Sequence, residues 1–168
     1  MMRRVFLGML VGLAAACAPV QQFALNYDSE PQAGFSENWF TSFDGAKLGL
    51  NVYRPAPTPN LCPPPSTSDD GEHVTLTSCD PGPRTIIIAV HGMNDYAGAF
   101  NAAGSWWSEH GAIVYAYDQR GFGRSPKSGI WPAPEIMRRD LKTAVRVARE
   151  LYPRDRIAVV GESMGASV

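Results

Sequence analysis

The stretch Arg156-Ile-Ala-Val-Val-Gly-Glu-Ser-Met-Gly-Ala-Ser-Val168 decides the fold. A short apolar run, Ile157 to Val160, is followed at once by Gly161-Glu-Ser-Met-Gly165. A strand running straight into Gly-x-Ser-x-Gly predicts a sharp strand-to-helix turn with Ser163 at its apex. So tight a turn forces the serine backbone into a strained region. Side chains two positions before and after it would strike the neighbouring strand and helix. Glycine at 161 and 165 removes those side chains. Ser163 Oγ is then expected to project from the carboxyl end of a sheet.

The elements upstream supply that sheet. Pro132 to Tyr152 contains a helix, with Pro134 in its first turn and Pro153 stopping it. Met137, Leu141, Ala144, Val145, Ala148 and Leu151 recur at helical spacing and make one apolar stripe. Arg138, Lys142, Arg146 and Arg149 fall mostly on other faces, with Asp140 and Glu150 among them; mixed signs read as a solvated face. Thr85-Ile-Ile-Ile-Ala-Val90 and Ala112-Ile-Val-Tyr-Ala-Tyr117 are continuous apolar runs, the pattern of strands buried on both faces. Between them Ala97 to His110 reads as a helix ended by Gly111, with Phe100, Trp106 and Trp107 as its packing aromatics. Glu37 to Arg54 reads as a hairpin: Trp39 to Phe43, a turn at Asp44-Gly45, then Leu48 to Tyr53. Strands alternating with helices predict an α/β fold, a mostly parallel sheet with helices on both faces. Sites in such sheets form at the carboxyl ends of strands, where the loops at 91–93, 118–125 and 161–165 emerge.

Composition agrees with one globular domain: 168 residues, 45% apolar and 18% charged. A net charge of −1 leaves no electrostatic footprint for nucleic acid. Prolines crowd residues 55–83, which read as a tolerated surface insertion, with a gating lid or partner loop as the functional alternative. Val74 to Thr77 within it suits a short edge strand. Two distant cysteines with only His73 between them lack metal-ligand spacing, so no metal site is expected.

The N-terminus has a basic Met1-Met-Arg-Arg4, an apolar Val5 to Ala16, and Leu13-Ala-Ala-Ala-Cys17. Residues 1–17 resemble a bacterial lipoprotein signal, in which Cys17 becomes the lipidated first residue. The leucine usual three before the cysteine is Ala14 here, with Leu13 one earlier. The other reading is an ordinary secretory signal cut near Ala16 or Ala18. Either implies export. The lipoprotein reading implies a lipid-anchored protein of the cell envelope on the periplasmic side, and the other a secreted one. Residues 18–36 then read as a tether and 37–168 as the domain. Export permits a disulfide, and Cys62–Cys79 would pin the insertion at its base, worth about 3 kcal/mol in the chain-entropy model.

Four pieces stand in order along the chain: Phe43-Asp-Gly-x-x-Leu48 with the run to Arg54-Pro55; Ile88-Ala-Val-His-Gly92; Asp118-Gln-Arg-Gly-Phe-Gly-Arg-Ser125; and Gly161-Glu-Ser-Met-Gly165. Together they resemble the α/β-hydrolase fold. Within it they are similar to the lysophospholipase and monoacylglycerol lipase group, also described as serine aminopeptidase-like hydrolases. The resemblance implies that Ser163 is a nucleophile and that the backbone N–H groups of Met93 and Met164 form an oxyanion hole. It implies loop-structuring roles for His91, Gly92, Asp118, Arg120 and Gly121. The expected chemistry is hydrolysis of a small-molecule or lipid ester, a monoacylglycerol or lysophospholipid, through an acyl-Ser163 intermediate without metal or cofactor. Serine at 163 disfavours the carboxylate-nucleophile chemistry of epoxide hydrolases and dehalogenases. In that family the catalytic acid and then the histidine follow the nucleophile, and here only Met164 to Val168 follow it. His73, His91 and His110 are not placed to serve as base, so these residues are expected to be inactive alone. The alternative from another class is a non-catalytic or truncated lipoprotein, a binding module on the same scaffold. Nothing in the sequence bears on oligomeric state.

Overall fold

The computed structural model describes residues 21–22, 24–25, 31–56 and 84–168. Cys17 and its signal, the Cys62–Cys79 pair, His73, Val74 to Thr77 and nearly all of the proline-rich insertion lie outside the described residues. The strands are β1 (Gly34–Phe35), β2 (Trp39–Thr41), β3 (Lys47–Tyr53), β4 (Thr85–Val90), β5 (Ile113–Tyr117) and β6 (Arg156–Gly161). They form one sheet in the order β1-β2-β3-β5-β4-β6. Pairings from β1 through β3 to β5 are antiparallel, and β5, β4 and β6 run parallel. The parallel half carries the loops that matter for function.

β4 shows why the sequence chooses this architecture. Its residues alternate between two cores, because successive side chains leave a strand on opposite faces. Ile86, Ile88 and Val90 join Leu48, Leu50, Tyr115 and Tyr117 on one face. Ile87 and Ala89 join Val114, Ala116, Ala97 and Phe100 on the other. Each fully buried isoleucine contributes roughly 1.5–3 kcal/mol of transfer free energy, which repays the cost of ordering the strand.

Helices cover both faces. Helix α1 (Asn101–Glu109) follows a 3₁₀ turn, Ala97–Phe100, and packs with it over the second core. It ends at His110, and Gly111 takes φ +89°. Phe100 and Trp107 pack as the sequence implies, but Trp106 is 56% exposed and stacks on the His110 ring at 3.9 Å. Helix α2 (Pro134–Leu151) lies on the first core through Ala144 and Ala148.

The buried stripe of α2 is rotated from the one read off the sequence. Ile136, Met137, Asp140, Thr143, Ala144, Val147 and Ala148 are buried, whereas Leu151 is 54% exposed. Asp140 therefore does not belong to the solvated basic face. Its place inward is set by an ion pair, described below. The solvated face itself is as expected, with Glu135–Arg138 and Arg146–Glu150 pairs on its surface.

The stretch read as a tether, residues 18–36, docks on the domain wherever it is described. Gly34–Phe35 adds a strand to the hairpin, and Phe35 stacks on Tyr115 with ring centres 4.3 Å apart. Gln22 is buried: its backbone N–H donates to Trp131 O, and its side-chain amide donates to Lys127 O and Ile130 O. Those carbonyls need donors, which is the physical reason a polar residue is held there. Among the described residues no helix is long and apolar enough to cross a membrane.

Candidate active site

β4 and β6 pair in parallel as far as Val90 opposite Gly161, so their carboxyl ends and the loops that follow lie side by side. Glu162 N–H closes the junction on Val90 O at 3.0 Å. Ser163 then takes φ +48°, in the left-handed region, and opens the 3₁₀ turn Ser163–Ser167. A non-glycine residue there stores of the order of 1–3 kcal/mol of strain, which the surrounding structure must impose. Two close approaches impose it. A Cβ on Gly161 would sit 2.5 Å from Gly165 O and 2.6 Å from Ala166 Cα. A Cβ on Gly165 would sit 2.2 Å from Val90 O and 2.7 Å from His91 O. The glycines therefore let the 3₁₀ turn close against the ends of β4 and β6, and Ser163 is left exposed at its tip.

The loop after β4 lies against this turn. A Cβ on Gly92 would be 3.5 Å from both Ser163 Cβ and Glu162 O. Met93 follows on the outer side, with its side chain 54% exposed. Neither Met93 N–H nor Met164 N–H donates a loop or turn hydrogen bond among the described residues. A developing oxyanion requires converging N–H donors beside the attacking hydroxyl.

His91 holds that loop rather than facing Ser163. The ring is fully buried. Its Nδ1 lies 2.7 Å from Gly92 O, and its Nε2 accepts from Gln119 N–H at 2.9 Å. That pair of partners places the proton on Nδ1 and leaves neither nitrogen available. Burial pulls the imidazole below its ordinary pKa, against Gly92 O and Asp118, which act to raise it. Gln119 also donates from its side chain to His91 O.

Asp118 fixes the far end of the same loop. Its carboxylate accepts Ala97 N–H at 2.6 Å, Arg124 N–H at 2.9 Å and Arg124 Nε–H at 3.2 Å. Asp118 and Gln119 together clamp residues 91–97 at both ends. Gly121 sits in the loop beyond, where its carbonyl accepts from Gly129 N–H at 2.8 Å. These five residues, His91, Gly92, Asp118, Arg120 and Gly121, are thus brought to one sheet edge with the serine turn.

Arg120 carries the heaviest charge network. Its guanidinium bonds Asp44 at 2.7 and 2.8 Å and Asp140 at 2.7 and 2.8 Å, with all three side chains buried. Ser42 Oγ donates to Asp140 as well. The pair of carboxylates shares one cation, so one of them is poorly compensated. Burial raises the Asp140 carboxyl above its usual range in spite of the Arg120 and Ser42 bonds. Burial works the same way on Asp44, but the Arg120 and Leu25 N–H bonds overcome it and hold Asp44 below the usual range. The network ties the hairpin turn, the loop after β5 and helix α2 together beneath the site. Phe43 takes part, with the Arg139 and Arg120 guanidinium carbons 3.8 and 5.3 Å from its ring centre. The partners Asp44 and Asp140 were not singled out by sequence reasoning. Asp140 lies four residues from both Ile136 and Ala144, on the stripe that the structure buries.

Beside this edge lies a cleft of about 370 Å³ between Asn94–Tyr96 and Phe122, Ile130 and Trp131. Ser163 does not line it. Among the described residues no group of three metal-ligating side chains converges.

Residues 81–168 match a protein-family model, Hydrolase_4, described as serine aminopeptidase, S33. The chain belongs to this family. One relative is the monoacylglycerol lipase of Mycolicibacterium smegmatis, 31% identical over 53% of this chain and 32% of that protein. Another is the monoglyceride lipase of Rattus norvegicus, 24% identical over 68% of this chain and 40% of that protein. The chain thus spans well under half the length of these curated relatives. Among solved structures, a soluble variant of monoglyceride lipase from Saccharomyces cerevisiae superposes with a TM-score of 0.56 at 19% identity, covering 85% of this chain and 40% of that one. A carboxyl esterase from Bacillus coagulans superposes at 0.54 with 24% identity, covering 80% and 38%. The shared architecture is the α/β-hydrolase fold, present here in part.

Proposed function

We propose that this serine aminopeptidase family chain carries the nucleophile and oxyanion hole of a hydrolase acting on carboxylic esters. The observation that carries the reading is Ser163 at φ +48°, pinched between Gly161 and Gly165 and flanked by the His91-Gly92 loop. Ser163 Oγ would attack the ester carbonyl while its proton passes to a general base. Negative charge on the carbonyl oxygen would be met by Met93 N–H and Met164 N–H. The alcohol leaves with a proton, and water then cleaves the acyl-serine. Neither His91, with both ring nitrogens engaged, nor His110, stacked on Trp106, suits the role of base. We assign base and acid to the part of the fold that the longer relatives have and these residues do not span. The names of the mycobacterial and rat relatives support a monoacylglycerol as substrate class, with lysophospholipid as a near chemical neighbour.

The test is hydrolysis of p-nitrophenyl butyrate by the whole gene product beside Ser163→Ala. A drop in kcat/KM of at least about 10³-fold is expected, and equal rates would contradict the reading. The 168 residues assayed alone are expected to show no turnover above Ser163→Ala. That result in the whole product instead would favour the binding-module reading.

We infer from the N-terminal pattern that the protein is exported and lipid-anchored at Cys17. Mass analysis of the mature N-terminus should find an acylated Cys17, and an unmodified cut near Ala16 or Ala18 would oppose it. Thiol labelling without reductant should leave Cys62 and Cys79 unreacted if they are joined.

A further inference from the structure

The opposite edge of the sheet holds a second, unassigned constellation. β3 runs antiparallel to β5, so Arg54, just beyond β3, sits at the amino edge of the parallel strands, away from Ser163. Its Nη1 donates to Tyr152 Oη at 3.3 Å and its Nη2 to Tyr115 Oη at 3.2 Å. The two hydroxyls lie 2.7 Å apart. The Arg54 guanidinium carbon also stands 5.6 Å from the Tyr115 ring centre.

Counting protons shows what this corner lacks. Each tyrosine hydroxyl carries one proton, and a guanidinium carries five N–H donors and no acceptor. One hydroxyl proton joins the two tyrosines. The other has no acceptor among the described residues. Burial and the Tyr152 bond push Tyr115 up to about 12, so the hydroxyl remains a donor at neutral pH. Arg54 forms no ion pair with a carboxylate of the described residues. The triangle thus presents spare donors and wants an acceptor bearing negative charge.

It opens on a cleft of about 540 Å³. Phe35, Val52 and the 54%-exposed Leu151 give that cleft an apolar wall. Glu37 also lines it, which disfavours a multiply charged ligand.

We propose that this cleft binds a singly charged amphipathic carboxylate, its head on Arg54, Tyr115 and Tyr152 and its tail along Phe35, Val52 and Leu151. A fatty-acid anion has this chemistry. The site does not depend on Ser163 being a nucleophile.

The experiment titrates octanoate into the whole chain, read by calorimetry and by tyrosine ring chemical shifts, beside octanol and inorganic phosphate. Octanoate is expected to bind with a dissociation constant of ~1 mM or tighter and to shift Tyr115 and Tyr152. Arg54→Gln is expected to weaken it at least about tenfold, since a charge-assisted bond is lost. Leu151→Asp, at an exposed position that leaves the Arg54 triangle intact, is expected to weaken it as much. Glu37→Gln is expected to tighten it. Circular dichroism confirms that each variant is folded. No octanoate binding, octanoate binding undiminished in both folded Arg54→Gln and Leu151→Asp, or phosphate or octanol binding as tightly as octanoate would each overturn the proposal.

Discussion

Arg120→Met removes the one cation that serves two buried carboxylates, and its cost follows from burial. The Arg120, Asp44 and Asp140 side chains are 2%, 3% and 2% exposed. Four charge-assisted hydrogen bonds vanish together. Methionine fills much of the space, so the lost term is electrostatic. Stripping the partner from a buried ion pair costs about 3–5 kcal/mol. Small domains hold only about 5–15 kcal/mol in total. Urea denaturation followed by circular dichroism reads the loss directly. With a slope near 2 kcal/mol per molar, the midpoint should fall by about 2 M. The pH dependence gives a second check. Without Arg120 the carboxylates of Asp44 and Asp140 are buried and unpaired, so their folded pKa values rise above the unfolded ones. A raised carboxyl pKa costs stability at neutral pH and returns it as the group is protonated. The deficit of Arg120→Met should therefore be smaller at pH 4.5 than at pH 7.5. A loss below about 1 kcal/mol, against the 3–5 expected, or a deficit that grows on acidification, would refute the reasoning.

Three further outcomes follow from the site. Gly165→Ala puts a Cβ 2.2 Å from Val90 O, where backbone cannot yield cheaply, so the thermal midpoint should fall by at least about 3 °C. Ser163→Gly relieves a positive φ and should raise stability by up to about 1 kcal/mol in the same urea assay while removing the hydroxyl. His91 is held below its ordinary pKa by burial. Its proton NMR titration midpoint should therefore lie under about 6.5. Stability should be complete above that value and decline as pH falls through it, because the folded state resists the proton that the unfolded state accepts.

What could be read in advance divides along physical lines. The runs at 85–90 and 112–117 announced strands because burial on both faces leaves no polar residue to confuse the period. The run at 157–160 was legible as a strand from its unbroken apolar residues even though Val159 is 48% exposed at the edge of the sheet. The serine turn was legible for a steric reason: Gly161 and Gly165 stand where a Cβ would meet backbone. The rotation of α2 was not legible, because a charged residue at 140 reads as solvent-facing until its partner is known. That partner, Arg120, lies on the loop after β5, and no local rule pairs residues twenty positions apart. The docking of Gln22 and Phe35 was hidden for the same reason. Their neighbours, the carbonyls of 127–131 and the ring of Tyr115, are remote in the chain. Trp106 shows the reverse error: a large aromatic suggests core, yet it finds a surface partner in His110.

The central claim is that Ser163 is a nucleophile, and covalent trapping tests it most directly. A fluorophosphonate loses fluoride as a Ser163 Oγ–phosphorus bond forms, and the serine proton passes to the general base. Peptide mapping of the whole gene product after brief exposure should place the phosphonyl mass on the peptide containing Gly161-Glu-Ser-Met-Gly165. Ser163→Ala should carry none. An unmodified Ser163 in the folded whole product, or equal labelling of Ser163→Ala, would contradict the account.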